Sequence, residues 1–147
     1  MAITASGLFV STFIDILDTT QLAIDLDLET HKVAMFTDTI APNFSTDTAY
    51  GVTPYDANEV SGTGYSAGGV ALTSTAVSES PTGTLMWDAA DASWAGSTIS
   101  NAMGALIYAA GNNAIVLIDF VTAYSTTAGT FTIQWAAGGI LTVDLTP

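Results

Sequence analysis

Most of the side chains that could do chemistry in this sequence are carboxylates. Asp25, Asp27 and Glu29 alternate along one side of a predicted extended segment, and carboxylates at that spacing can hold a calcium ion. The glycine and the closing glutamate of an EF-hand loop are missing, so a solvated strand face is favoured and an ion site is the alternative. Asp88 and Asp91 flank a predicted turn, where turn formation explains them without an acid–base pair.

The remaining candidates for catalysis or metal binding are few. His31 is the only histidine and there is no cysteine, which argues against a transition-metal site. We predict that His31, beside Lys32 at the start of a strand, is a surface residue. Serine and aspartate are plentiful, but we predict no nucleophile elbow that would place a catalytic serine. The sequence thus predicts no catalytic residue, no metal ligand and no bound cofactor, so we do not expect an enzyme.

The most distinctive stretch is residues 60–69, Val-Ser-Gly-Thr-Gly-Tyr-Ser-Ala-Gly-Gly. It lacks the lysine and the following serine or threonine of a P-loop, and no predicted switch from strand to helix surrounds it. We interpret it as a turn in which glycines supply positive φ angles or let two backbones approach closely. The residues of this structural signature are Gly62, Gly64, Tyr65, Gly68 and Gly69.

Aromatic residues offer one further binding chemistry. Trp87, Trp94 and Trp135, together with five tyrosines, could form a platform on which sugar rings stack. In a β domain such side chains more often anchor the core or a protein interface. The sequence therefore favours core or interface roles for the three tryptophans.

The charge balance excludes whole classes of partner. Lys32 is the only lysine or arginine, against fourteen acidic residues, which gives a formal net charge of −13. Such a chain cannot hold phosphate, nucleic acid or anionic lipid by charge. At most one permanent ion pair is available, so we expect apolar packing and backbone hydrogen bonds to hold the fold. The start lacks the basic region of a signal peptide, and the most apolar stretch is too interrupted for a membrane helix.

Hydrophobic periodicity predicts an all-β domain with one short helix. Apolar residues recur at helical spacing over residues 6–17, with Ser6 as a candidate cap. Residues 22–28 alternate as a half-buried extended segment, and residues 41–59 form a long loop. Further strands are predicted over residues 32–37, 70–78, 83–88, 97–99, 103–109, 114–121, 129–135 and 140–144. We predict an antiparallel β-sandwich or barrel-like domain over residues 21–147, preceded by a helical docking segment over residues 1–20.

Three segments carry a more specific likeness. Residues 24–36 read Ile-Asp-Leu-Asp through His-Lys-Val-Ala-Met-Phe, residues 58–69 read Asn-Glu-Val-Ser-Gly-Thr-Gly-Tyr-Ser-Ala-Gly-Gly, and residues 129–135 read Gly-Thr-Phe-Thr-Ile-Gln-Trp. Together they resemble a family of small structural proteins of tailed bacteriophages, in which such proteins are described as head, decoration, fibre or minor tail proteins. The resemblance implies a part of the virion, made in the host cytoplasm, without catalytic residues. The chain departs from that family in its lack of basic residues.

Two functions follow from this resemblance. The first is a capsid decoration (cement) protein that binds the major capsid protein or copies of itself, with Leu8, Phe9 and Phe13 as docking residues. An apolar chain suits permanent contacts, and an acidic one does not suit a surface that faces packaged DNA. The alternative is a minor tail or fibre protein that contacts the host surface through Phe44, Tyr50 and Tyr55. Neither function involves nucleic acid or a membrane.

Overall fold

The computed structural model describes residues 2–28 and 30–146, which form two antiparallel sheets and one short helix. The first sheet has the strand order β1-β7-β6-β2-β3, and the second has the order β4-β5-β8. The elements are β1 (Gly7–Leu8), α1 (Val10–Leu17), β2 (Lys32–Phe36), β3 (Val70–Ala71), β4 (Ala76–Glu79), β5 (Thr84–Asp88), β6 (Ala92–Tyr108), β7 (Ala114–Ile133) and β8 (Leu141–Asp144). The all-β prediction is confirmed. The barrel-like alternative is wrong, because the first sheet ends at β1 and β3 and does not close.

Strand β2 explains how the first sheet is buried on both faces. Its four residues after Lys32 are all buried, and they alternate between two hydrophobic clusters. Val33 and Met35 join a cluster that also contains Trp87 of the second sheet, so the two sheets share one core. Ala34 and Phe36 face the other way, towards a cluster covered by the N-terminal segment and the loop before β3. An apolar run without alternation is what burial on both faces requires.

A long hairpin, β6 and β7, forms the centre of the fold. The sequence predicts a turn between residues 125 and 129, but these residues lie within β7, which is a single strand of 20 residues. The register against β6 shifts between Ser97 and Ile99 and again between Ala102 and Gly104, so the extra residues of β7 form bulges and the strands pair again beyond them. Val121 and Ala128 mark these irregularities with positive φ angles. A Ser/Thr/Gly-rich bulge has the same composition as a turn, which explains the error.

The other predicted strands are confirmed with two adjustments, but residues 22–28, predicted as a half-buried extended segment, form no strand and include a turn. The predicted strand over residues 70–78 is divided into β3 and β4, and the predicted strands over residues 97–99 and 103–109 belong to one strand, β6. Residues 41–59 form the predicted loop, joined to the sheet region by single bridges such as Ala49 to Asn113. As predicted, Val116 and Phe131 lie in one cluster with Ile118, Phe120, Ile133 and Trp135.

The helix of the N-terminal segment is shorter than predicted. Helix α1 begins at Val10, because residues 7 and 8 pair with Leu117 and Val116 of β7 as strand β1. Ser6 does not cap the helix; its hydroxyl accepts a hydrogen bond from the Asp119 backbone N–H at 2.8 Å. The inner side of the helix is fixed by Thr12, whose buried hydroxyl donates to the Ala114 carbonyl oxygen at 2.6 Å.

Candidate functional site

The glycine-rich stretch lies against the backbones of β2 and β6. Gly69 has φ +70°, and a Cβ placed on it would overlap the Val33 carbonyl oxygen and lie 2.6 Å from the carbonyl carbon. Gly62 has φ +142°, and a Cβ there would overlap the Thr98 carbonyl oxygen. Side chains would be both strained and obstructed at these two positions, so the predicted structural role of the glycines is confirmed.

The other signature residues complete this contact. A Cβ on Gly64 would lie 2.9 Å from Ser97 Cα, and one on Gly68 would lie 3.2 Å from the Tyr108 hydroxyl oxygen. The half-buried ring of Tyr65 stacks on Trp94, with ring centroids 5.9 Å apart. The stretch therefore closes over the central hairpin and forms no ligand cradle of its own.

Glu59, immediately before this stretch, is the centre of a hydrogen-bond network. Its carboxylate accepts hydrogen bonds from the Tyr65 hydroxyl at 2.6 Å, the Tyr50 hydroxyl at 2.7 Å and the Gly68 backbone N–H at 2.7 Å. The Tyr65 oxygen also accepts a hydrogen bond from the Met35 N–H at 3.0 Å. Glu59 thus ties the long loop and the glycine-rich stretch to β2. Sequence reasoning did not single it out, although it is an acid among tyrosines in a chain almost without cations.

A stacked pair of tyrosines extends the network to β6. The rings of Tyr50 and Tyr108 lie 4.4 Å apart and 7° from parallel, and the Tyr108 hydroxyl donates to the Gly68 carbonyl oxygen at 2.7 Å. Burial and the nearby Glu59 charge raise the pKa of Tyr108 to about 12. Burial, and then the hydrogen bond to Glu59, raise the pKa of Tyr50 and Tyr65 further. Burial and the Asp47 carboxylate do the same to the pKa of Tyr55.

The raised tyrosine pKa values predict a limit to alkaline stability. Because the folded chain holds these protons more tightly than the unfolded chain, their stabilising effect is complete below about pH 10. It is lost progressively as the pH rises from there through about 12, the pKa of Tyr108. We expect absorbance at 295 nm to show most tyrosines protonated above pH 10 and then ionising together with unfolding. The chain in urea is the control, and ionisation of Tyr50, Tyr55, Tyr65 and Tyr108 near pH 10 without unfolding would contradict the network.

Elsewhere the carboxylates accept hydrogen bonds from backbone N–H groups. Asp38 accepts from the Ile3 N–H at 3.1 Å, Asp91 from the Trp135 N–H at 3.1 Å, and Asp27 from the Val77 N–H at 2.6 Å. Shorter-range bonds of the same kind close turns after Asp18, Asp25, Asp119 and Asp144. Backbone donors thus take the place that lysine and arginine hold in most proteins.

Three of the four aspartates that were considered for chemistry bind backbone N–H groups, and the fourth, Asp88, is the last residue of β5. Asp25 and Asp27 are exposed; Asp25 accepts from the nearby Asp27 N–H, and Asp27 accepts from Val77 of β4. Glu29 lies outside the described residues. Asp91 accepts a hydrogen bond from the Trp135 backbone N–H, 44 residues away along the chain, rather than from a neighbouring turn residue as the turn interpretation predicts. Within residues 2–28 and 30–146, no three histidine or carboxylate groups converge as a metal ion would require.

The surface prediction for His31 is wrong. Its ring is buried, Nε2–H donates to the Asp25 carbonyl oxygen at 2.7 Å, and the ring packs edge-on against Trp87 with centroids 5.8 Å apart. This hydrogen bond and ring contact make burial possible. Residues 64–68, Gly-Tyr-Ser-Ala-Gly, match the Gly-x-Ser-x-Gly pattern of a nucleophile elbow. Ser66 at its centre, however, lies in an exposed turn that leads into β3 and not into a helix. A nucleophile elbow requires the strand-to-helix turn.

Two of the predicted interface residues lie in the core. Phe9 and Tyr55 are buried and contact each other edge-on at 5.8 Å, and Phe44 is half-buried against Phe9 at 5.4 Å. Tyr50 is half-buried on Tyr108. These side chains therefore hold the long loop to the sheet, and the loop does not display them for a host surface.

Helix α1 does carry an exposed apolar face. The outward side chains are Val10, Ile14 and Leu17, which are 47%, 54% and 84% exposed. Together with the half-buried Leu8 and Phe13 they line a shallow apolar depression, which we call the α1 face. Of the three docking residues predicted from the sequence, Leu8 and Phe13 line this face and Phe9 is buried, whereas Val10, Ile14 and Leu17 were not predicted, because helical spacing alone does not say which side faces the sheet.

The three tryptophans divide between core and surface. Trp87 and Trp94 are buried, whereas Trp135 is half-buried and lines a groove of about 610 Å³ along β7. The core interpretation is thus confirmed for two of them, and the third borders the larger of the two surface depressions described here.

Comparison with known proteins leaves these features to be judged on their own. No family model, no curated protein and no solved structure matches the chain. None of the helices in the described part of the chain could span a lipid bilayer.

Proposed function

We propose that the chain is a virion structural protein of a tailed bacteriophage, and that it is a decoration protein on the head. The observation that carries this proposal is the α1 face. A helix held rigidly on one side by Thr12 presents three large apolar side chains on the other. Contiguous apolar surface of this kind marks an interaction site on a soluble domain. The resemblance of residues 58–69 to phage structural proteins gives the class of partner.

Charge selects the partner's chemistry. Asp18 borders the α1 face and Asp15 lies within the helix, and the whole chain carries a net charge of −13. A partner that covers this face needs an apolar depression with lysine or arginine at its rim, which complements the acidic surroundings. Contact between two copies would bring like charges together. We therefore propose the major capsid protein as the main partner, with contacts between copies secondary.

The rest of the molecule suits a permanent structural part. The long loop, the glycine-rich stretch, β2 and β6 are joined by Glu59 and by Tyr50, Tyr65 and Tyr108, so the surface around the core is held firmly. A minor tail or fibre protein is the second candidate. Of the loop residues proposed for host contact, Tyr50 belongs to this network and Phe44 and Tyr55 pack against Phe9, which favours the head over that alternative.

The α1 face can be tested by removing it without disturbing the fold. We expect the triple variant Val10→Ser, Ile14→Ser and Leu17→Ser to keep its unfolding free energy within about 1 kcal/mol, because these side chains are largely exposed. Its binding to tail-free heads stripped of the protein should weaken by roughly a hundredfold, since each side chain loses about 1 kcal/mol of burial. The measurement is a cosedimentation titration.

A matched control has the same chemistry elsewhere. Val52, Val121 and Leu145 are also exposed, at 52%, 82% and 65%, and lie outside α1. Their triple replacement by serine should leave head binding unchanged. Equal loss of binding in both triple variants, or no loss in the α1 variant, would overturn the role of this face.

A further inference from the structure

The groove along β7 is the second surface feature that the fold itself does not require. The two bulged regions of β7 bring residues before Val121 and residues after Ala128 to the same depression. Its volume of about 610 Å³ lies within the range of small-molecule sites. Its aromatic lining is Phe120, Tyr124, Phe131 and Trp135.

Polar groups alternate with these rings. The hydroxyls of Tyr124 and Thr130 form no hydrogen bond with any residue in the described part of the chain, and both residues are exposed, Tyr124 by 52%. Gln134 makes one long contact, 3.4 Å from its Nε2 to Asp91. These groups both donate and accept hydrogen bonds, and none of the residues that line the groove is charged.

We propose that this groove binds a neutral oligosaccharide. A sugar presents apolar C–H faces that pack on aromatic rings, and a periphery of hydroxyls that donate and accept hydrogen bonds. The groove offers both kinds of partner within one depression. The net charge of −13 repels anionic glycans, and an uncharged lining gives them no counterion.

The main competing occupant is an extended peptide added to the edge of β7. Between Val116 and Val121 that edge is already used: β1 pairs with Val116 and Leu117, the Asp119 N–H donates to Ser6, and the Val121 N–H donates to the Asp119 carboxylate. Strand addition needs free backbone donors and acceptors, so an added strand has only the part of β7 beyond Val121 to pair with. A sugar needs only side chains and can use the whole lining of the groove.

Four neutral probes test the proposal: maltohexaose, cellohexaose, mannohexaose and chitohexaose, titrated by calorimetry against the full chain. The proposal does not depend on whether the protein lies on the head or the tail. We expect at least one probe to bind saturably, in the millimolar range or tighter. Tyr124→Ala should weaken that binding by about three- to tenfold, because a stacking surface is lost. Thr130→Val should weaken it while leaving the unfolding midpoint unchanged.

Val121→Ala is the matched control, because Val121 lies on the same strand, 82% exposed, and outside the groove lining. It should bind the probe as the wild type does, and a hexamer of sialic acid should not bind. The proposal is overturned if none of the four probes saturates, if Tyr124→Ala and Thr130→Val both bind like the wild type, or if the sialic acid hexamer binds as tightly as the neutral probe.

Discussion

Gly69→Ala is expected to prevent the chain from folding stably. The new Cβ would overlap the Val33 carbonyl oxygen and approach Ala34 Cα to 2.8 Å, and both atoms belong to the buried strand β2. Alanine at φ +70° adds about 1–2 kcal/mol of backbone strain. Because backbone cannot move aside as a flexible side chain would, we expect a total loss above about 4 kcal/mol, comparable with the whole stability of many domains.

Gly51→Ala provides the matched control for this prediction. Gly51 also has a positive φ of +79°, but a Cβ there would meet no atom within 4 Å. Its substitution should therefore cost only about 1–2 kcal/mol, the strain without the overlap. Urea unfolding followed by tryptophan fluorescence compares the two variants. Similar losses in both variants would show that the close approach of residue 69 to β2 is not a constraint on the fold.

Glu59→Ala should produce the second largest loss, about 2–4 kcal/mol of unfolding free energy. The substitution leaves the hydroxyls of Tyr50 and Tyr65 and the Gly68 N–H without their acceptor, in a part of the molecule that is mostly shielded from water. Leaving shielded donors unpaired costs about 1–3 kcal/mol for each group, less where water can reach. Glu59→Gln keeps one accepting oxygen, so it should lose about half as much.

Asp56→Ala is the control for Glu59, because Asp56 is exposed and accepts a hydrogen bond from the Thr53 hydroxyl at 2.9 Å. Its replacement should change stability by less than about 0.5 kcal/mol. In the Glu59→Ala variant the tyrosines should also ionise at lower pH than in the wild type, since the nearby negative charge is gone. A Glu59→Ala variant as stable as Asp56→Ala would contradict the role of the network.

The fold class could be predicted from the sequence, because strand signals depend on local composition. Short apolar runs bounded by turn signals located β2, β5 and β8 almost to the residue. That β7 continues as one strand through residues 125–129 could not be predicted in this way, because these residues have the composition of a turn. Only their pairing with β6 decides between a turn and a bulge. The close backbone contacts at Gly62 and Gly69 are of the kind that the sequence predicted, because glycine is the residue that permits positive φ angles and close approach of two backbones.

Side-chain roles were harder to foresee, because they depend on which face of each element meets the core. His31 beside a lysine suggested the surface, yet the Asp25 carbonyl oxygen and the Trp87 ring meet it inside. Phe9 and Leu17 belong to the same apolar pattern, and only the pairing of β1 with β7 turns the first inwards and the second outwards. Glu59 gave no periodic signal, because its partners at positions 50, 65 and 68 come together only in the folded chain.

The distribution of the protein between heads and tails tests the proposed function most directly. Under that proposal, particles of the tailed phage that would encode the chain are separated into tail-free heads and free tails, and the protein in each fraction is quantified by mass spectrometry against the major capsid protein. We predict that the protein stays with the heads, in a copy number of the same order as that of the major capsid protein. Recovery of only a few copies per particle, all of them with the tails, would contradict a decoration role.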